Sequence, residues 1–298
     1  LTKGSELSKK IEKLFSGIFD KNKGYTMRPT LFFIISIICI SCGESSPKKL
    51  TAGQNEQAVD FTPTNRVKVP GGMFIFGASE DQFQLYISGL KFNYPGLLER
   101  LRNDQNVPSN TQEVLEFEID EFEVTNQQFS EFIRATGYSP KNSRDYLKHW
   151  EGKNQPPEWA MDFPVVWVSK ADGEAYCKWT EGRLPNEMEW EKAARGLRGQ
   201  LFPWGENFPD AGTANVGSDR LEPIGNRPGD QSPYNVYDLA GNVSELTSSL
   251  VTVRGNDHVV IKGGNYRSAY TDALVYARNV NFPAEDRSEL IGFRCVSN

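Results

Sequence analysis

The chain has 298 residues, 38% of them hydrophobic and 24% charged, with 18 Phe, 11 Tyr, 6 Trp, 26 Gly and 17 Pro. That length can bury a substantial core, and the aromatic and Gly/Pro content describes a loop-rich globule, excluding a helical bundle or a disordered chain. The net charge of −6 is uneven: residues 1–41 carry a surplus of four positive charges, leaving −10 from Cys42 onward. An acidic domain repels phosphate backbones, which argues against a nucleic-acid partner.

In chain order, Leu31-Phe32-Phe33-Ile34-Ile35-Ser36-Ile37-Ile38-Cys39-Ile40 comes first. This apolar run is shorter than the ~20 residues that span a bilayer and fits the core of a secretory signal. It ends Cys39-Ile40-Ser41-Cys42-Gly43, which resembles a bacterial lipobox with Cys42 as the lipid-bearing residue. Residue 1 is Leu and Met27 stands where a signal would begin, so residues 1–26 are expected to be a non-native upstream extension and 27–41 the signal peptide. Residues 42–66 read as the lipidated Cys and a flexible polar tether. Residues 67–298 form the expected domain.

Within that domain, alternation over Met73–Gly77 after Pro70-Gly71-Gly72 predicts a strand. Residues 82–102 give helix-like pieces broken at Pro95, and Val114–Val124 alternates as one half-exposed strand. Thr125 is expected to cap a helix over 126–136, with Phe129, Phe132 and Ile133 on one face and Gly137 at its end. A second helix follows Ser169, with Ala175, Tyr176 and Trp179 inward, and a third runs from Glu187 to Arg195. From 200 onward, turns, Gly clusters and short strands are expected.

A series of words in this order resembles the sulfatase-modifying-factor, or formylglycine-generating-enzyme-like, family. It includes Val69-Pro70-Gly71-Gly72-Met73-Phe74, Glu123-Val124-Thr125-Asn126, Gly182-Arg183-Leu184-Pro185 and Glu189-Trp190-Glu191-Lys192-Ala193-Ala194-Arg195-Gly196. It continues through Phe202-Pro203-Trp204-Gly205, Tyr237-Asp238-Leu239-Ala240-Gly241-Asn242-Val243, Lys262-Gly263-Gly264 and Gly292-Phe293-Arg294-Cys295. The resemblance implies an α+β fold of the formylglycine-generating-enzyme type, related to C-type lectins, with short strands, a few helices and much irregular backbone.

Members that oxidise cysteine to formylglycine use two cysteines shortly after the Gly-Gly word, where soft thiolates suit Cu(I). Residues 263–278 contain no cysteine, so no catalytic residue is assigned and copper is not expected. The resemblance implies a disulfide between Cys177 and Cys295. Another branch binds iron through histidines. Here there are only His149, expected to pack or hydrogen-bond, and His258, expected in a polar turn before a strand.

The resemblance implies structural calcium. Asp238 and Glu245 by side chain, with Gly241 and Val243 by carbonyl, match one site, and Asn215 and Val216 begin a second. Two acids around a tight loop suit a hard cation that takes oxygen ligands. Relatives often carry two tryptophans around the acid of this loop, where this chain has Ser244 and Leu246.

The layout resembles lipoproteins of gliding motility and its associated secretion system. The expected function is a lipid-anchored, non-catalytic binding or scaffold protein of the cell envelope, facing periplasm or cell surface. Its partner would be an envelope protein segment or a glycan, met by Tyr266, Arg267, Tyr270 and Arg278, which pair aromatic area with cationic forks. The alternatives are an oxidoreductase of the formylglycine-generating type or a diverged activity, and a diversity-generating variable protein with 265–290 as its binding face.

Overall fold

The computed structural model describes residues 65–88, 108–210 and 212–298. The upstream extension, the signal peptide, Cys42 and nearly all of the tether lie outside the described residues, as do the helical pieces expected beyond 88. No helix among the described residues is long and apolar enough to cross a membrane.

Strands β1 (Arg66–Val69) and β2 (Gly72–Phe76) open the domain, followed by helix α1 (Glu80–Ser88). The alternation of 114–124 does not give one strand. It divides into β3 (Asn110–Val114) and β4 (Phe117–Asp120), because Leu115 turns outward and is exposed while Phe117 and Ile119 are buried. β3 pairs with β2, whereas β4 pairs with β1.

Helices α2 (Asn126–Thr136), α3 (Lys170–Trp179) and α4 (Glu187–Arg195) stand where expected. Each begins with a capping box: Thr125 with Gln128, Ser169 with Asp172, and Asn186 with Glu189. Each box satisfies otherwise orphaned N–H groups at the helix start. Gly137 stops α2 in a left-handed conformation at φ 66°, where a side chain would be strained.

After a long irregular stretch come β5 (Ser244–Val253), β6 (Asn256–Lys262), β7 (Arg278–Pro283), β8 (Ile291–Gly292) and β9 (Val296–Ser297). β5 is ten residues long rather than short. The described strands form three sheets, ordered β1-β4-β9, β2-β3 and β7-β6-β5-β8, with β5 and β8 parallel and the other pairs antiparallel. His258 lies inside β6 rather than in a turn, with Nδ1 3.0 Å from the Val280 carbonyl; the polar residues before it had suggested a turn, but they pair with β5.

An aromatic cluster of Phe129, Phe132, Tyr176 and Phe293 packs α2 against α3, and beside it Cys177 bonds to Cys295. Eight of the nine residues of α4 are buried although five of the nine are charged. Its charges survive there because they are paired. Glu191 accepts from Arg195, Lys262 and the Gly77 N–H, each within 2.8 Å. Lys192 caps the carbonyls of Gly72 and Val114. α4 therefore locks the N-terminal strands to β6, and through β6 to the Gly-Gly turn.

Candidate functional site

Gly263 and Gly264 follow β6, and their lack of side chains has a local cause. A Cβ on Gly264 would meet the Ala240 carbonyl at 2.6 Å, and one on Gly263 would meet that of Leu239 at 2.8 Å. Gly263 also has φ 73°. The 238–245 loop and the Gly-Gly turn thus lie backbone to backbone, and the chain beyond them lines a cavity of about 320 Å³.

Ser244, Asn265, Ser268, Asp272, Arg278 and Asn279 are among its walls. The Asn265 amide donates to Ser244 Oγ at 3.0 Å, and the Asn265 N–H donates to Ser268 Oγ at 3.1 Å. The Asp272 carboxylate accepts from the Ala269 N–H at 3.2 Å, and burial raises its pKa. Arg278 is held by Glu187, with Nε 2.8 Å from Oε1. Burial raises the Glu187 pKa, while Lys262 and Arg278 oppose that rise. The cavity is a hydroxyl-, amide- and carboxylate-lined pocket with a fixed guanidinium on one wall.

Of the four residues expected to bind a partner, only Arg278 lines this pocket. Tyr266 is buried, Arg267 is exposed and paired with Glu289, and Tyr270 packs against the cluster around Phe202. Composition singled out aromatics and arginines. The pocket instead uses small polar residues such as Asn265, Ser268 and Asn281, whose usual place in turns hides them in the sequence.

The loop expected to hold calcium lies behind the pocket. Asp238 is buried, and its Oδ2 accepts the Gly225 N–H at 2.6 Å. Glu245 is fully buried, and Arg294 grips both of its oxygens: Nε stands 3.0 Å from Oε1 and 2.8 Å from Oε2, and Nη2 2.7 Å from Oε1. Trp190 Nε1 adds a bond to Oε2 at 2.8 Å. Those four contacts take the roughly four acceptor positions a carboxylate offers. Asn242, between Gly241 and Val243, has φ 62°, which turns the backbone sharply. The Asn215 amide donates to Asn242 Oδ1 and to the Arg220 carbonyl, and its Oδ1 accepts from Ser218. Val216 is buried beside it. Among the described residues, no three His, Cys, Asp or Glu side chains converge as a ready-made metal cluster.

Two acids that the sequence did not single out as ligands, Glu123 and Asp230, join this region, both fully buried. Asp230 accepts the Ala240 N–H through both oxygens, at 2.9 and 3.2 Å. Glu123 accepts from the Asn242 amide at 3.3 Å. The sequence signal for Glu123 was its place just before Val124-Thr125, inside one of the quoted words.

Residues 51–298 match the family described as sulfatase-modifying factor enzyme 1-like domain. The chain is 31% identical to the Mus musculus protein named inactive C-alpha-formylglycine-generating enzyme 2, covering 78% of this chain and 85% of that one. It is 28% identical to the formylglycine-generating enzyme of Mus musculus, covering 86% of this chain and 80% of the relative. The solved structure of PvdO from Pseudomonas aeruginosa shares the fold with a TM-score of 0.60 at 22% identity, over 78% of this chain and 94% of that one. With the family match spanning most of the chain, and with a relative above 30% identity that covers more than three quarters of it, the chain belongs to the sulfatase-modifying factor enzyme 1-like family.

Proposed function

We propose that this chain is a lipid-anchored recognition or scaffold protein of the bacterial envelope, holding a protein segment or a glycan in its polar pocket without oxidising it. The observation that carries the reading is the chemistry of the pocket beside Gly263-Gly264. Serine, asparagine and aspartate line it, and residues 263–278 contain no thiol. Copper-dependent oxidation of the family type needs two soft sulfur ligands. Hydroxyls and amides are instead donors and acceptors for a polar ligand held by hydrogen bonds. The relative named inactive supports the same view. The lipobox-like Cys42 supports anchoring, and the lipoprotein layout supports a place among gliding-motility and secretion lipoproteins.

The test has two arms. Purified residues 43–298, loaded with Cu(I) and given O₂, should leave a sulfatase-type cysteine peptide unchanged by mass spectrometry. A thiol-to-aldehyde mass loss above the no-protein control overturns the reading and restores the oxidoreductase alternative. On glycan and envelope-peptide arrays the wild type should bind, and Asn265→Ala with Asp272→Asn should weaken binding about tenfold or more, as expected for lost hydrogen bonds in a partly buried site. Anchoring is read separately, as incorporation of a labelled fatty acid that Cys42→Ala abolishes.

A further inference from the structure

A second cavity, of about 590 Å³, opens between helix α2 and the loop that runs from Asn154 to Met161. It shares no lining residue with the pocket beside Gly263-Gly264. Its walls are fixed by the fold. The Asn126 amide clamps the loop through the carbonyls of Ala160, Phe163 and Pro164, and the Gln127 N–H donates to the Met161 carbonyl at 3.1 Å. Pro156 and Pro157 restrict the backbone between the two walls. Helix α2 contributes Gln127, Glu131 and Arg134, and the loop contributes Asn154 and Gln155. The Gln127 amide donates to Glu131 at 3.2 Å. Asn154 and Gln155 are exposed, and among the described residues their side-chain amides have no partner. Two residues before Met161 stands Trp159, which is 73% exposed. Tryptophan is on average highly buried, so a ring left this far in water is unusual. It is also held in place, meeting Phe163 edge to face with centroids 5.6 Å apart.

We propose that this groove is a second binding site, for a neutral oligosaccharide, with Trp159 as its stacking platform and the amides of Asn154, Gln155 and Gln127 as its hydroxyl contacts. The lining selects that class. Glu131 and Arg134 cancel in charge, so an ionic ligand would give up hydration here without gaining an uncommitted counter-charge. A primary amide donates and accepts at once, as a sugar hydroxyl does, so the two satisfy each other. Sugar rings also present a face of C–H bonds, whose slight positive charge suits the negative face of an indole. The volume falls within the ~300–1,000 Å³ of small-molecule sites.

The purified chain is tested on an array carrying neutral, sulfated, uronic-acid and amino oligosaccharides alongside peptides. The wild type should retain a neutral oligosaccharide, and Trp159→Ala should weaken that binding about tenfold or more, as expected of an aromatic hot spot. Asn154→Ala with Gln155→Ala should weaken it several-fold. All three side chains are exposed, so these variants should melt as the wild type does. Asn265→Ala with Asp272→Asn, which strips polar contacts from the pocket beside Gly263-Gly264, should leave this binding unchanged. The two sites therefore fail or succeed separately. No retained neutral oligosaccharide, retention confined to charged saccharides or peptides, or full binding by Trp159→Ala overturns the proposal. So does binding that only the Asn265→Ala, Asp272→Asn protein loses.

Discussion

His149 shows how one side chain can be fixed by its neighbours. The Asn126 amide nitrogen donates to the carbonyls of Ala160, Phe163 and Pro164. Its oxygen must therefore accept, taking Trp150 Nε1 at 2.9 Å and His149 Nε2 at 2.6 Å. The imidazole is thus neutral with its hydrogen on Nε2, and Nδ1 is buried without a partner. Burial lowers the His149 pKa to about 4. Because the unfolded imidazole takes up a proton near 6.5, this residue favours the fold above that pH, and the contribution is lost as pH falls to about 4. The loss should reach roughly 2–3 kcal/mol, and His149→Gln should remove it. Urea unfolding of both proteins at pH 7 and pH 4.5 measures the difference, and an equal gap at both pH values would refute a neutral buried histidine. The sequence pointed to a packing or hydrogen-bonding histidine. It could not name Asn126 as partner, because that contact depends on how the loop folds back onto α2.

Elements with local causes were legible, and those with distant causes were not. Thr125, Ser169 and Asn186 precede their helices by one residue, so each cap can be read where it stands. Removing one should cost what a cap is worth: Asn186→Ala should destabilise by about 1 kcal/mol and Asn186→Gly by only a few tenths. Equal urea midpoints for wild type and Asn186→Ala would mean that the 2.9 Å bond from the Glu189 N–H to Asn186 contributes nothing. The break between β3 and β4 had no such local mark. Period-two alternation runs through it, and the break arises because the two halves join different sheets. β5 was underestimated for a related reason: its first residues face the buried acids and α4 while its last are half-exposed, so no single alternation describes it.

At the scale of the whole molecule, the Cys177–Cys295 bond spans 118 residues. In the chain-entropy model a loop of that size stabilises by about 4–5 kcal/mol. Reduction should therefore lower the melting temperature markedly, and peptide mapping without reductant should recover the linked pair. Two free thiols in protein taken from an oxidising compartment would contradict the structure. The family words indicated this pairing, whereas Glu123 and Asp230, which join Asp238 and Glu245 near Arg294, were hidden because they come from widely separated segments. The sheet order β1-β4-β9 has a consequence for the order of assembly. Within one short stretch, residues 294–297 deliver the guanidinium for Glu245, the second half of the cross-link and the strand that covers the free edge of β4. Until that stretch leaves the ribosome, Glu245 lacks its counter-charge and Cys177 its partner. The domain therefore closes from β9 like an arch awaiting its keystone, and it can become fully native only after synthesis has delivered residues 294–297.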